Sequence, residues 1–168
     1  MSKYKWWIIL LNLVVVIVLF NWSVTTKERT LSNGKLILLE LAPVDPRSLM
    51  QGDYMDLNYA IASTNEQYKP QRGYIVVTLD EHNVAAKMRL QQGTTPLAAN
   101  EHLIKFRKTE WSMNIGAESY FFEEGTGEIY EKAEYGALKV DEDGNSILVG
   151  LYDEHYQLIK PQPDSTKK

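Results

Sequence analysis

The sequence predicts an N-terminal transmembrane helix followed by a mainly-β (α+β) domain, an antiparallel sheet or small partly open barrel with one or two short helices. Three observations carry this expectation. Positions 6–22 are almost wholly apolar; short apolar runs punctuated by turn residues begin after Gly34; and the chain has 168 residues, which without the apolar stretch leaves about 140, enough to close one hydrophobic core. The expected organisation is an anchor over 1–23, a polar connector over 24–34, a β-rich domain over 35–160 and a tail over 161–168.

From Trp6 to Phe20 the first element is apolar all round, with Asn12 the only strongly polar interruption. A buried helix of a soluble domain keeps a polar face, so a membrane span is the better reading. Trp6, Trp7 and Trp22 stand where aromatic rings settle at the two membrane interfaces. About 17 residues rising about 1.5 Å each cover about 25 Å, the short end for a bilayer core. Cleavage as a secretory signal is disfavoured, because Asn21-Trp22-Ser23-Val24-Thr25 offers poor small-residue positions for a peptidase. Lys3, Lys5 and the terminal amine place the N-terminus inside, against Lys27 and Arg29 beyond the span, and an early signal-anchor delivers the downstream chain across the membrane. The expected location is the cytoplasmic membrane of a bacterium, with the domain in the periplasm or outside the cell.

Seven strands are expected in the outer part, at 35–42, 53–62, 73–80, 83–91, 101–108, 135–140 and 146–152. Asp80-Glu81-His82-Asn83 and Asp141-Glu142-Asp143-Gly144-Asn145 read as hairpin turns. Tight links between successive strands favour antiparallel pairing over βαβ units. Between 117 and 134 the pattern changes: Tyr120-Phe121-Phe122, the break at Gly125-Thr126-Gly127 and Ile129-Tyr130 suit one or two short helical turns. The end of the chain, with Pro161 and Pro163, reads as a frayed tail.

Composition removes several classes of function. With no cysteine there is neither a disulfide framework nor a thiolate ligand or nucleophile. The net charge is −4; Lys3 and Lys5 are two of the 18 basic side chains, and all 22 acidic ones come after Ser23, so the outer part stands at −6. That is no footprint for a phosphate backbone, and nucleic-acid binding is not expected. His82, His102 and His155 lack zinc-site spacing, and Asp141 and Asp143 lack the rest of a calcium loop, so no metal is expected. Nucleotide-binding glycine motifs and the hydrolase nucleophile elbow are absent, and no cofactor is expected. Glu118, Glu123, Glu124, Glu128, Glu131 and Glu134 crowd one segment, either as a solvated face or as an acidic docking surface.

The most informative stretch runs from Asp45 to Tyr59. Asp45-Pro46 ends a strand, Gly52 is free to take a positive φ in the next turn, and Asp53 can accept from turn amides. Alternation then puts Met55, Leu57, Tyr59 and Ile61 on the core face and Tyr54, Asp56 and Asn58 on the other. Asp45, Arg47, Asp53 and Tyr54 would make a polar cluster able to grip a ligand or partner. The plainer reading makes Gly52, Asp53, Leu57 and Tyr59 a device for turn and register, with Tyr54 left over because it points away from the core.

Gly52-Asp53-Tyr54-Met55-Asp56-Leu57-Asn58-Tyr59 fits G-D-Y-x-x-L-x-Y at all five fixed positions, and the chain resembles the GDYXXLXY family of bacterial membrane-anchored proteins. An upstream Asp-Pro-Arg, the Tyr-Phe-Phe-x-Glu-Gly-x-Gly segment at 120–127 and a late hairpin are similar to that family too. The resemblance implies no catalytic activity; it implies company with multi-pass membrane proteins. The leading expectation is therefore a non-enzymatic accessory or interaction domain that works with an integral membrane partner, since a polar residue such as Asn12 inside a span turns toward another helix. The alternatives are an envelope hydrolase of membrane-anchored serine peptidase type, for which Ser48 with Lys87 or Lys105 would be needed, and a small-ligand binding domain.

Overall fold

The computed structural model describes residues 4–42, 54–62, 70–109, 112–123 and 125–161. Helix α1, Tyr4–Asn33, is one uninterrupted 30-residue helix, about 45 Å long. It is long and apolar enough to cross a membrane, and its most apolar 18-residue window is not buried by the rest of the chain. Val14-Val15-Val16-Ile17-Val18 is a β-branched run of indifferent helix formers in water. In an apolar medium the helix is still the one conformation that satisfies every backbone group within the segment.

The polar connector expected over 24–34 is helical: α1 runs through it to Asn33. The reason is that the polar stretch has no glycine or proline before Gly34. The hydroxyls of Thr25 and Thr26 donate back to the carbonyls of Asn21 and Trp22, at 2.8 and 3.0 Å. At Gly34 the amide donates to the Thr30 carbonyl at 2.9 Å. A Cβ there would lie 2.3 Å from that same oxygen, so only glycine closes this helix end.

Beyond the helix, the described residues form nine strands, all paired antiparallel within their sheets: β1 Lys35–Glu40, β2 Tyr54–Asp56, β3 Arg72–Leu79, β4 Ala85–Gln91, β5 Glu101–Lys108, β6 Met113–Asn114, β7 Ser119–Phe121, β8 Tyr135–Val140 and β9 Ser146–Tyr152, with a short helix α2 at Gly127–Tyr130. They form three sheets, ordered β1-β8-β9, β2-β7 and β4-β3-β5-β6. The domain is therefore a set of open antiparallel sheets and not a closed barrel. Ile37 and Leu39 of β1, Ile75 and Val77 of β3, Ile104 of β5 and Leu138 of β8 meet in one buried cluster. Each large aliphatic chain removed from water there contributes about 1.5–3 kcal/mol.

Two further expectations are corrected. The strand foreseen over 53–62 stops at Asp56 and ends in a 3₁₀ turn, Ala60–Ala62. The short helical turn expected between 117 and 134 is present at Gly127–Tyr130, but Ser119–Phe121 is a strand paired with β2. Its aromatic triplet alternates as a strand does. Tyr120 and Phe122 turn inward against Tyr130, with ring centroids 5.1 and 5.4 Å apart, and Phe121 turns out. The hairpin turn at 141–145 is borne out: Gly144 donates to the Asp141 carbonyl and takes φ +81°. The expected tail from 162 onward lies outside the described residues.

One ion pair orders the loop between β4 and β5. Arg89 grips Glu101 with Nη1 and Nη2 of its guanidinium and also reaches the Pro96 carbonyl at 2.9 Å, while the Ala98 amide donates to Glu101. The arginine, helped by that amide, holds the Glu101 carboxyl down at about 2. An unfolded glutamate takes up its proton near pH 4.3. The stabilisation is therefore complete above about pH 5 and is lost as pH falls toward 2. Urea midpoints of wild type and E101Q should differ at pH 6 and converge on acidification; a gap that stays constant down to pH 2.5 contradicts the assignment.

Candidate functional site

The motif segment is a seam between two sheets. Tyr54, Met55 and Asp56 pair with Phe121, Tyr120 and Ser119. The Leu57 amide then donates to the Glu118 carbonyl, after which the chain changes partner: Tyr59 bridges to Leu41 at the end of β1, and the Ala42 amide donates to the Asn58 carbonyl at 2.7 Å. Met55, Leu57, Tyr59 and Ile61 are all buried, whereas Tyr54, Asp56 and Asn58 are exposed, as the alternation predicts.

Tyr59 is the key of this seam. It is only 4% exposed, and its hydroxyl donates to the Ala117 carbonyl at 2.6 Å. Burial, with the nearby Glu118 charge adding to it, pushes its phenol well above the ordinary value, so the hydroxyl stays a donor. Its ring lies close against β8, where a Cβ at Gly136 would approach Tyr59 Cε1 to 2.7 Å. The glycine is what allows the ring to lie that close. Leu57, 2% exposed, fills the same core. These two fixed residues of the motif are structural.

Tyr54 behaves differently. It is 40% exposed and its ring stands 5.8 Å from that of Phe121, which is 74% exposed. Two large aromatic side chains thus sit side by side on the outer face of a two-stranded ribbon. The sequence reading does not single out Phe121; the available signal is that Tyr54 has no core role and needs a neighbour on its own face. Asp45, Arg47, Gly52 and Asp53, the rest of the expected cluster, lie outside the described residues.

The other sequence candidates separate. Lys87 Nζ donates to the Ile61 carbonyl at 3.0 Å and Lys105 Nζ to Asn145 Oδ1 at 2.7 Å, on different strands. Ser48 lies outside the described residues. His82 stacks on Tyr156 at 4.3 Å in the β3–β4 turn, and His155 sits in the turn after β9. On His102, burial first and the Lys35 charge second act to lower the imidazole pKa. Of the acidic segment, Glu123, Glu128, Glu131 and Glu134 carry no core role, but Glu118 accepts from the amides of Ile115 and Gly116 and shapes the loop before β7. Trp6, Trp7 and Trp22 are all exposed on α1, the first two near its start and the third two-thirds of the way along it.

A second junction ties α1 to the domain. Thr30 is buried, and its hydroxyl donates to Asp141 Oδ2 at 3.0 Å. The same carboxylate accepts from Asn145 Nδ2 and the amides of Asn145 and Asp143, and Lys139 Nζ caps the Gly34 carbonyl at 3.0 Å. Burial pushes the Asp141 carboxyl up, but the hydrogen bonds from Asn145, Thr30 and Asp143 outweigh it, and it lies below the ordinary aspartate value. The helix is therefore bolted to the β8–β9 hairpin.

One span-length apolar helix joined end-on to a set of open antiparallel sheets, with Tyr54–Tyr59 forming the seam between two of them, defines the class of this protein. The chain belongs to the GDYXXLXY protein family, whose model matches residues 16–151. No curated protein and no solved structure matches the chain significantly.

Proposed function

We propose that the protein is a non-enzymatic accessory domain held at the outer face of a bacterial cytoplasmic membrane, N-terminus inside, where it binds an integral membrane protein. The observation that carries this reading is Asn12: its amide sits within the exposed apolar stretch of α1 and has no side-chain hydrogen bond among the described residues. In hydrocarbon an unpaired amide is costly, and a neighbouring helix with a polar group is the usual remedy. The rigid joint at Thr30 and Asp141 supports the reading further, because it fixes which way the Tyr54–Phe121 pair faces relative to that helix. Exposed paired aromatics are common binding anchors.

Photo-crosslinking groups placed at position 12 and at position 121 of the full chain in its native membrane test this. Both positions should capture the same multi-pass protein. Y54A/F121A should lose that capture at position 12 by at least about tenfold while changing stability by less than about 1 kcal/mol, as expected of surface side chains. Crosslinking of position 12 to lipid alone refutes the reading.

A further inference from the structure

Away from the motif seam, the face of the four-stranded sheet turned from the main core carries an arrangement that folding alone does not favour. Register places Arg72 of β3 directly opposite Arg107 of β5, with Asn114 of β6 next in the same row, and Tyr74 directly opposite Lys105 in the row beside it. Directly opposed like charges, their Cβ atoms about 5 Å apart, destabilise a strand pair. Arg72 and Arg107 are exposed and form no ion pair or side-chain hydrogen bond among the described residues. These residues line one open groove of about 640 Å³, the size of a small-molecule site. Among the described residues of its lining the one carboxylate, Glu118, accepts from the amides of Ile115 and Gly116. On a domain whose net charge is strongly negative, the groove is a local reversal of sign.

From this geometry we infer that the groove binds a small phosphorylated ligand, gripped between the guanidinium groups of Arg72 and Arg107 with Lys105 beside them. The guanidinium fork matches phosphate oxygens bidentately. A phosphate group carries enough charge to offset both arginines, which a single carboxylate does not. This goes beyond the accessory role and does not rest on it. The phosphate can belong to a free compound or to a lipid headgroup.

Pyrophosphate titrated by calorimetry into the full chain in phosphatidylcholine nanodiscs is the test. Wild type should bind saturably, and R72Q and R107Q should each bind about tenfold more weakly. Both variants should unfold at the same or a higher temperature than wild type, because the opposed charges are relieved; a purely structural role for the arginines predicts a fall. R107K, which keeps the charge and loses the fork, should lie between wild type and R107Q. Repeating the titration in phosphatidylglycerol nanodiscs separates the sources: affinity retained there identifies a free phosphorylated compound, and affinity lost there identifies the headgroup already in place. Absence of saturable binding in phosphatidylcholine nanodiscs, or equal binding by wild type and R72Q/R107Q, overturns the inference.

Discussion

Replacing Tyr59 by alanine should cost about 3–5 kcal/mol, the range for deleting a large buried ring. That is a large share of the roughly 5–15 kcal/mol that holds a typical domain together. The loss has two sources. The ring fills the space over Gly136, within the cluster that also holds Leu57 and Leu138. Its hydroxyl also satisfies the Ala117 carbonyl in a buried setting. Y59F keeps the ring and removes only the second contribution, so it should cost about 1–3 kcal/mol, the penalty for a stranded acceptor. Chemical denaturation of the two variants separates these contributions. A double-mutant cycle with Gly136 gives a sharper check. G136A alone pushes a methyl against the ring and should cost about 1–3 kcal/mol by overpacking, whereas in the Y59A background the same methyl enters vacated space. Additive costs for G136A and Y59A would mean that ring and glycine do not meet as described.

Asp141→Ala is expected to cost about 2–3 kcal/mol, since hydrogen bonds to a charged group are worth more than neutral ones and this carboxylate accepts four of them. The more telling effect is mechanical. Three of the four bonds hold the β8–β9 turn, and the fourth, from Thr30, is the side-chain link between that turn and α1. T30V removes the fourth alone. Spin labels on exposed positions of α1 and β4 should report a single narrow distance in wild type, and a broadened distribution in both T30V and D141A. Only D141A should show a substantially lower denaturation midpoint. A narrow distance in T30V would show that the helix is held by its backbone cap at Gly34 and by Lys139, and not by the Thr30–Asp141 bond.

The seam divides the family motif between distinct jobs. Leu57 and Tyr59 lock the sheets together and Tyr54 stays outside, paired with Phe121. A segment that changes strand partners after three residues gains from side chains that fix its register independently of the ladder. Slipping by one residue would expose Met55, Leu57 and Tyr59 and bury Asp56 and Asn58. The alternation therefore protects the seam where backbone pairing is shortest.

Much of this is legible in the residues alone. The nearly continuous apolar run over 6–20, bracketed by Trp6, Trp7 and Trp22, is enough to point to a helix of span length. Outside the motif segment, the expected strands lie within two residues of their observed ends, because period-2 burial and turn residues are local signals. The inward and outward sets of the motif come from the same alternation. Partnership is what the residues alone do not supply. The helix continues through 24–33 because nothing in that stretch breaks it and because Thr30 finds Asp141, 111 residues away. Ser119–Phe121 is a strand because Tyr54–Asp56 is there to pair with it. The exposed Phe121, the close fit of Tyr59 on Gly136 and the opposition of Arg72 to Arg107 are all products of cross-strand register. Register is decided by the packing of whole sheets, so these contacts come into view only in three dimensions.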